Sequence, residues 1–310
     1  MYCVLYYMSG IMFKAVLLGS VSSKPTKENF TSSLIVQHDG DVFLFDACEG
    51  AQIRIMQSGI SFMKINNIFI SHFHADHFLG LPGLLATMEL SERKNPLTIF
   101  GPKGIKKRIE DMLNAFNIGV SYKIICKELS EGKILDFNNT EVYAKKVKHR
   151  VLNFGFLIKE KNKIGEFNRK KAEKLLPPGP LYKKLQDGEI VSYNGKKIKP
   201  EMVMDYSKNK EGIKLAYFVD LDDTGYESFI KGADLLFHES CFLNEHKKQA
   251  KETKHSILED VIKISKKAKV KKLILFNYSN RYLEDLDKIK KKYKSKEIVF
   301  GTDLNSFELK

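Results

Sequence analysis

Short apolar runs alternate with polar, glycine-punctuated connections along this chain, the pattern of strands interleaved with helices. Residues 13–19 form the first such run and end in a glycine turn. Residues 34–38 and 41–45 flank Asp39-Gly40, the dipeptide that a type I′ hairpin turn favours. His38, beside that turn, is expected at the surface without a role. Residues 53–57 predict a short helix, and Ile68-Phe69-Ile70 closes a buried strand. Residues 78–88 predict a buried helix entered through Pro82, and residues 97–100 a strand. Gly101-Pro102-Lys103-Gly104 opens an amphipathic helix that runs to Phe116. Residues 142–147 alternate as a half-buried strand. Further strands are expected at 214–219, 234–237, 272–276 and 297–300, with a helix from His255-Ser256 to Ala268. Strands punctuated by helices throughout predict an α/β fold of two sheets packed face to face with helices outside.

Composition changes that picture in one place. Residues 159–207 are lysine-dense, lack long apolar runs and contain Pro177-Pro178-Gly179-Pro180. They are expected to form a protruding inserted arm with a stiff hinge. The remainder, from Met12 to residue 310, suits a single layered core. Residues 1–11 are apolar but lack a basic leading segment, and Lys14 interrupts the run. They are expected to be an N-terminal extension, with Met12 a plausible alternative start. No stretch reaches the ~18 apolar residues that span a bilayer, so no membrane segment is expected. Cys3, Cys48, Cys126 and Cys241 show no paired spacing, which predicts single buried thiols in a reducing compartment. The net charge of +14 favours polyanionic partners.

The strongest chemistry lies in Ser71-His72-Phe73-His74-Ala75-Asp76-His77, directly after the buried strand. In extended backbone His72 and His74 point to one side and can grip one metal ion. Asp76 and His77, past the bend, can face a second. Two ions about 3.5–4 Å apart clamp both the attacking and the leaving oxygens of a phosphodiester. His149, at the end of a strand, supplies a third ligand for the first ion. Asp220, also at a strand end, is the expected bridge between the ions. Asp46 either orients a metal-binding histidine or caps the next helix, or does both. His238 is expected to be structural, and His246, among lysines, exposed.

These stretches together resemble the ribonuclease Z (tRNase Z) branch of the metallo-β-lactamase superfamily. The resemblance runs from Met12 onward. It includes Leu18-Gly19 with Pro25-Thr26, then Phe45-Asp46 through Gln52, and the histidine motif continued by Phe78-Leu-Gly-Leu-Pro-Gly83. It continues with His149 and Gly155-Phe156, then Pro178-Gly179-Pro180-Leu181, the segment from Ala233 to Phe242, His255-Ser256, and Ser279-x-Arg281-Tyr282. The resemblance implies an αββα four-layer sandwich with a basic arm, a cytoplasmic homodimer, and precursor tRNA as substrate. It implies an endonuclease that removes the 3′ trailer and leaves a 3′-hydroxyl. Two Zn²⁺ sites follow: His72, His74 and His149 at one, Asp76 and His77 at the other, with Asp220 between. Asp76 would accept the proton of the attacking water, and His255, oriented by Glu239, would protonate the leaving oxygen. Arg281, Tyr282, Pro178, Gly179 and Pro180 would contact substrate.

Three positions depart from the family pattern. Asn277 stands where a final metal-binding histidine is expected; its amide oxygen is a weaker zinc ligand, so the second site is expected to be weak and to accept Mn²⁺. Asp220 is followed by Leu221, while Asp223-Thr224 restores the family's Asp-Thr pair three residues on, leaving Asp223 an alternative bridge. Asn29-Phe30 occupies the vicinity of a family arginine. Two other readings remain open at this level: a tRNA-binding relative that has lost turnover, and a small-molecule phosphodiesterase of the same superfamily.

Overall fold

The computed structural model of the chain describes residues 13–309; the expected extension at 1–11, with Cys3, lies outside them. The described residues form two compact units, Glu160–Gly212 and the rest.

The larger unit holds two seven-stranded sheets. In the first, β1 (Phe13–Gly19), β2 (Ser33–His38) and β3 (Asp41–Phe45) run antiparallel. Asp39 and Gly40 both adopt positive φ, 52° and 88°, as a primed hairpin turn demands. The chain then passes through α1 (Ala51–Gln57) into β4 (Ile65–Phe69), which lies parallel to β3. Next come α2 (Ala75–Phe78), α3 (Gly80–Leu90), β5 (Leu97–Gly101), α4 (Ile105–Ala115) and β6 (Ile124–Glu128). β3 to β6 are parallel because helices carry the chain back between them.

The second sheet begins with the hairpin β7 (Gly132–Phe137) and β8 (Thr140–Val147), followed by β9 (Asn153–Glu160). The smaller unit comes next. It contains β10 (Glu166–Phe167), α5 (Arg169–Glu173), α6 (Pro180–Gln186), the hairpin β11 (Val191–Tyr193) and β12 (Lys196–Ile198), and β13 (Met204–Asp205). The larger unit resumes with β14 (Lys214–Phe218), β15 (Leu235–Glu239), α7 (Lys247–Thr253), α8 (Leu258–Lys267), β16 (Lys272–Phe276), α9 (Leu286–Tyr293), β17 (Ile298–Phe300) and β18 (Ser306–Leu309). β14 to β17 are parallel, and β18 returns to the first sheet beside β1.

Alternating side chains place one apolar face of each sheet against the other. Phe45, Phe69, Phe156, Tyr217, Phe237 and Phe276 belong to this central core. Phe45 and Phe100 stack on opposite faces of Phe69 at 4.9 and 4.8 Å between centroids; each buried ring contributes on the order of 1.5–3 kcal/mol. A second core lies between the first sheet and α1, α3 and α4, a third between the second sheet and α8 and α9. The larger unit is therefore the expected αββα sandwich.

The parallel strands β3, β4, β14 and β16 deliver Asp46, the histidine motif, Asp220 and Asn277 beyond their carboxyl ends, where ligand crevices form in parallel sheets. Asp46, Asp220 and Asn277 all have left-handed backbone, at φ 56°, 51° and 57°. Asp and Asn tolerate that conformation better than most residues. It turns each side chain sharply off its strand axis.

Several expectations change. His38 is buried, not exposed: its ring packs 4.9 Å from Phe13, and Nδ1 lies 2.8 Å from Thr140 Oγ1. It is the last residue of β2, on the face that meets the other sheet. Pro180 opens α6 within the smaller unit, directly after Pro177, Pro178 and Gly179. That unit has its own apolar cluster, including Ala172, Leu176, Leu185, Val191, Ile198 and Val203. Cys48 and Cys241 are buried free thiols, and Cys126 is half-buried and also unpaired. No described helix is long and apolar enough to cross a membrane.

Candidate metal centre

The histidine motif leaves β4 in extended backbone, and His74 has φ −71° and ψ 150° before α2 begins. Asp46, fully buried at the end of β3, gathers this segment. Its Oδ1 accepts from Ser71 N–H at 2.7 Å; its Oδ2 accepts from Ser71 Oγ at 2.9 Å and from His77 Nδ1 at 2.8 Å. Asp46 thus orients His77, while the N-cap of α1 is Gly50, so the capping role falls away.

Three imidazoles are held by the same logic. Ser71 donates its only hydroxyl proton to Asp46, so its oxygen accepts from His72 Nδ1 at 2.9 Å. His149 Nδ1 donates to Lys254 O at 2.9 Å, and His77 Nδ1 to Asp46. In its neutral form each ring therefore carries its proton on Nδ1 and keeps the Nε2 lone pair for the centre.

Those lone pairs converge on one carboxylate oxygen. Asp220 Oδ2 lies 3.5 Å from His72 Nε2, 3.5 Å from His77 Nε2, 3.9 Å from His149 Nε2 and 4.0 Å from His74 Nδ1. Asp76 Oδ2 is 3.5 Å from His77 Nε2 and is itself fixed by Ser23 N–H at 2.9 Å. Two groups result, His72-His74-His149-Asp220 and Asp76-His77-Asp220, each with candidate ligand atoms within 4.8 Å of one another. They share Asp220. Asp223 stands apart, its Oδ1 accepting the backbone N–H groups of Thr224 and Gly225.

His72 Nε2 and His77 Nε2 are buried without a hydrogen-bond partner. Buried polar atoms normally find one. Unpartnered imidazole nitrogens facing a carboxylate are what a divalent cation of the zinc class satisfies, so the donor set fits such an ion. The electrostatics agree for His149 and His72. Burial pushes His149 down to about 4 and lowers His72 as well, which keeps both lone pairs free at neutral pH. At His77 burial again disfavours the charged ring, but the carboxylates of Asp76, Asp220 and Asp46 push it well above the usual range, so an ion there would displace its Nε2 proton. Burial also disfavours the charged carboxylate of Asp220, but the imidazoles of His255 and His77 outweigh it and hold Asp220 well below the usual range.

Beside this cluster stands a second buried carboxylate, Glu239, at the end of β15. Its Oε1 accepts from Leu221 N–H at 2.6 Å and Ser256 N–H at 3.0 Å, and its Oε2 accepts from His255 Nδ1 at 2.8 Å. Ser256 Oγ donates to Leu221 O at 2.7 Å rather than capping α8. Burial opposes a charged His255, yet Glu239 and Asp220 push it up to about 9. His255 and His149 lie 5.3 Å apart between ring centroids.

Asn277 Nδ2 donates to Asp220 Oδ1 at 2.7 Å and its Oδ1 accepts from Ser32 Oγ at 3.0 Å, so the oxygen expected to ligate is directed at Ser32. Tyr282 is largely buried, its hydroxyl accepting from Leu243 N–H and lying 2.6 Å from His246 Nδ1. His246 is thus only partly exposed. The Arg281 guanidinium lies over the Phe242 ring, 5.1 Å from its centroid. Pro178, Gly179 and Pro180 are exposed at the start of α6. His238 is buried and structural, with Nε2 2.5 Å from Tyr226 Oη and Nδ1 donating to Glu239 O. Two contacts escaped the sequence: Ser32 to Asn277, and Tyr217, whose hydroxyl donates to Asp46 Oδ2 at 3.1 Å. Only an apolar strand that places a hydroxyl three residues before its terminal acid hints at Tyr217.

Comparison with known proteins places this geometry. Residues 13–160 match the family model described as Anti-Pycsar protein Apyc1. By fold the chain resembles human tRNase Z, short form (TM-score 0.68, 22% identity, 95% of this chain and 98% of that one). It equally resembles the metallo-β-lactamase fold protein YhfI from Bacillus subtilis (TM-score 0.68, 15% identity, 96% and 99%). Ribonuclease Z of Nitrosopumilus maritimus is 37% identical over 271 residues, 87% of this chain and 90% of that protein. Ribonuclease Z of Pyrococcus horikoshii is 39% identical over 274 residues, 87% and 88%. With identity at that level across nearly the full length of both relatives, and with the histidine motif, Asp220, Glu239 and His255 gathered in one crevice, the chain belongs to the ribonuclease Z family of the metallo-β-lactamase fold.

Proposed function

We propose that this chain is a metal-dependent endoribonuclease that removes the 3′ trailer from precursor tRNA and leaves a 3′-hydroxyl. The observation that carries this reading is the convergence of four imidazoles on Asp220 Oδ2, with the Asp76 carboxylate grouped beside them, in a chain of this family. His72, His74 and His149 would hold one ion, Asp76 and His77 another, and Asp220 would face both. Zinc is the ion that best suits imidazole with carboxylate. When bound, it supplies positive charge that acidifies water and neutralises the scissile phosphate.

The chain's own groups do the rest. Asp76, anchored by Ser23 N–H, accepts the proton of the attacking water. The water oxygen bonds to phosphorus as the bond to the 3′ oxygen breaks. His255, protonated because Glu239 and Asp220 stabilise its charge, donates to that departing oxygen. The products are a 3′-hydroxyl on the tRNA and a 5′-phosphate on the trailer. The lysine-rich unit Glu160–Gly212, with Pro178, Gly179 and Pro180 exposed, is the surface proposed to grip the tRNA body. Arg281 and Tyr282 are proposed to contact the substrate near the cleavage point. A homodimer is the proposed assembly and the cytoplasm the proposed compartment, the latter in keeping with the unpaired Cys48 and Cys241.

One observation favours a second reading, tRNA binding without turnover: Asn277 offers no oxygen to the centre. Incubation of the purified protein with a 3′-extended tRNA and Zn²⁺ or Mn²⁺ separates the two. Cleavage that leaves a 3′-hydroxyl supports the nuclease; tight binding with intact RNA supports the alternative.

A further inference from the structure

A polar contact crosses the apolar core between the two sheets. Tyr217, on β14 of the second sheet, donates to Asp46 Oδ2 at the end of β3 in the first. Tyr217 is fully buried, and its ring lies 6.0 Å from Phe45 and 5.6 Å from Phe276. A phenylalanine would fill the same space among these aromatic neighbours. The hydroxyl adds a desolvation cost that only its bond to Asp46 offsets.

The other donors to the Asp46 carboxylate, Ser71 N–H, Ser71 Oγ and His77 Nδ1, all come from the motif that follows β4. Tyr217 brings a donor from the opposite sheet. It stands three residues before Asp220, whose Oδ2 lies 3.5 Å from His77 Nε2. One strand end therefore touches both sides of the His77 ring: Tyr217 through Asp46 at Nδ1, and Asp220 at Nε2.

We propose that Tyr217 is a positioning residue of the metal centre, a cross-sheet brace that sets Asp220 against His77 and so tunes the affinity for a divalent cation. The proposal rests on reading this cluster as a metal centre. It places part of the binding affinity in the core, on a side chain that never touches the ion.

The test compares Tyr217→Phe with Tyr226→Phe. Tyr226 is equally buried, and its hydroxyl bonds His238 instead of the cluster. Each variant removes one oxygen and keeps the ring. Affinity for Zn²⁺ and Mn²⁺ is read by competition with a chromogenic chelator, alongside the thermal midpoint of the metal-free protein. Tyr217→Phe should weaken metal binding about tenfold, the lower end of the effect of losing an outer hydrogen-bond partner. Tyr226→Phe should lower the midpoint without that loss. In an Asp46→Asn background, where His77 has already lost its carboxylate, Tyr217→Phe should change affinity less than about twofold, because the two residues act through one chain of contacts. Unchanged affinity in Tyr217→Phe, equal losses in both tyrosine variants, or the full tenfold loss in the Asp46→Asn background would each overturn the brace. If the unaltered chain binds neither ion, the metal-centre reading falls and the brace with it.

Discussion

Asn277 turns its amide nitrogen, not its oxygen, towards Asp220. Nδ2 donates to Asp220 Oδ1 at 2.7 Å, while the Asn277 oxygen accepts from Ser32 Oγ at 3.0 Å. The reverse orientation would set an amide oxygen against a carboxylate, so the hydrogen bonds select this one. A position that resembles a metal-ligand site in the family thus acts here on the carboxylate. It engages one oxygen of Asp220 and leaves the other facing the histidines.

The first prediction follows from that geometry. The His72-His74-His149-Asp220 group is complete, whereas the Asp76-His77-Asp220 group lacks a further imidazole. After dialysis against a mild chelator the protein should retain one ion per chain and release the other. Asn277→His should raise retention towards two and increase cleavage at low metal concentration, with affinity at the second position rising about tenfold or more. Metal analysis after dialysis decides it. Two tightly held ions in the unaltered chain would refute the expected weakness.

The second prediction concerns His255. Held by Glu239 and raised to about 9, it is charged at neutral pH and can donate a proton. His255→Ala should lower turnover of precursor tRNA by about 10²–10⁴-fold, the usual contribution of a general acid. Metal content should stay the same. Hydrolysis of bis(p-nitrophenyl) phosphate, whose leaving group needs no proton, should fall far less. Equal losses on both substrates would argue against proton donation.

The centre was largely legible in the chain because its chemistry is local. His72, His74, Asp76 and His77 fall within six residues after an apolar strand, and Asp220 and Glu239 lie at or just beyond the ends of others. What escaped was non-local. Ser32 meets Asn277 across 245 positions, and Tyr217 meets Asp46 across 171. His38 was misplaced because proximity to a turn says nothing of which face a strand's last residue presents. β9 escaped although it lies within the second sheet: Gly155 interrupts its apolar pattern, and a Cβ there would meet the Phe218 ring at 2.4 Å. β6 and β7 carry mixed exposure at or near sheet edges, so neither shows a clean alternation.

The third prediction uses the boundaries of the smaller unit. Its ends are adjacent: a Cβ on Gly212 would fall 1.9 Å from Glu160 O. A short glycine linker can therefore replace the residues between them. The deletion should weaken precursor tRNA binding and flatten its salt dependence, since fewer phosphates are neutralised. Hydrolysis of bis(p-nitrophenyl) phosphate should persist. Unchanged tRNA affinity would show that the grip lies elsewhere.

The last prediction concerns stability and pH through His238. Burial holds this imidazole down to about 4, and its ring stays neutral between the Tyr226 hydroxyl and the Glu239 carbonyl. In the unfolded chain it titrates near 6.5. Between those values the unfolded state binds more protons than the folded one, so stability rises with pH. As pH falls from 6.5 towards 4, His238 should withdraw about 3 kcal/mol of stability, at 1.36 kcal/mol per pH unit. His238→Gln keeps polar atoms for both partners and removes the titration. The variant should be less stable than the unaltered chain at pH 7.5, because its packing is poorer. The gap should then narrow as pH falls, as the variant loses stability less steeply. Urea unfolding from pH 7.5 to 4.5 measures both slopes. Parallel slopes would mean that His238 accepts a proton in the folded state, with the Tyr226 hydroxyl turning to accept from its Nε2.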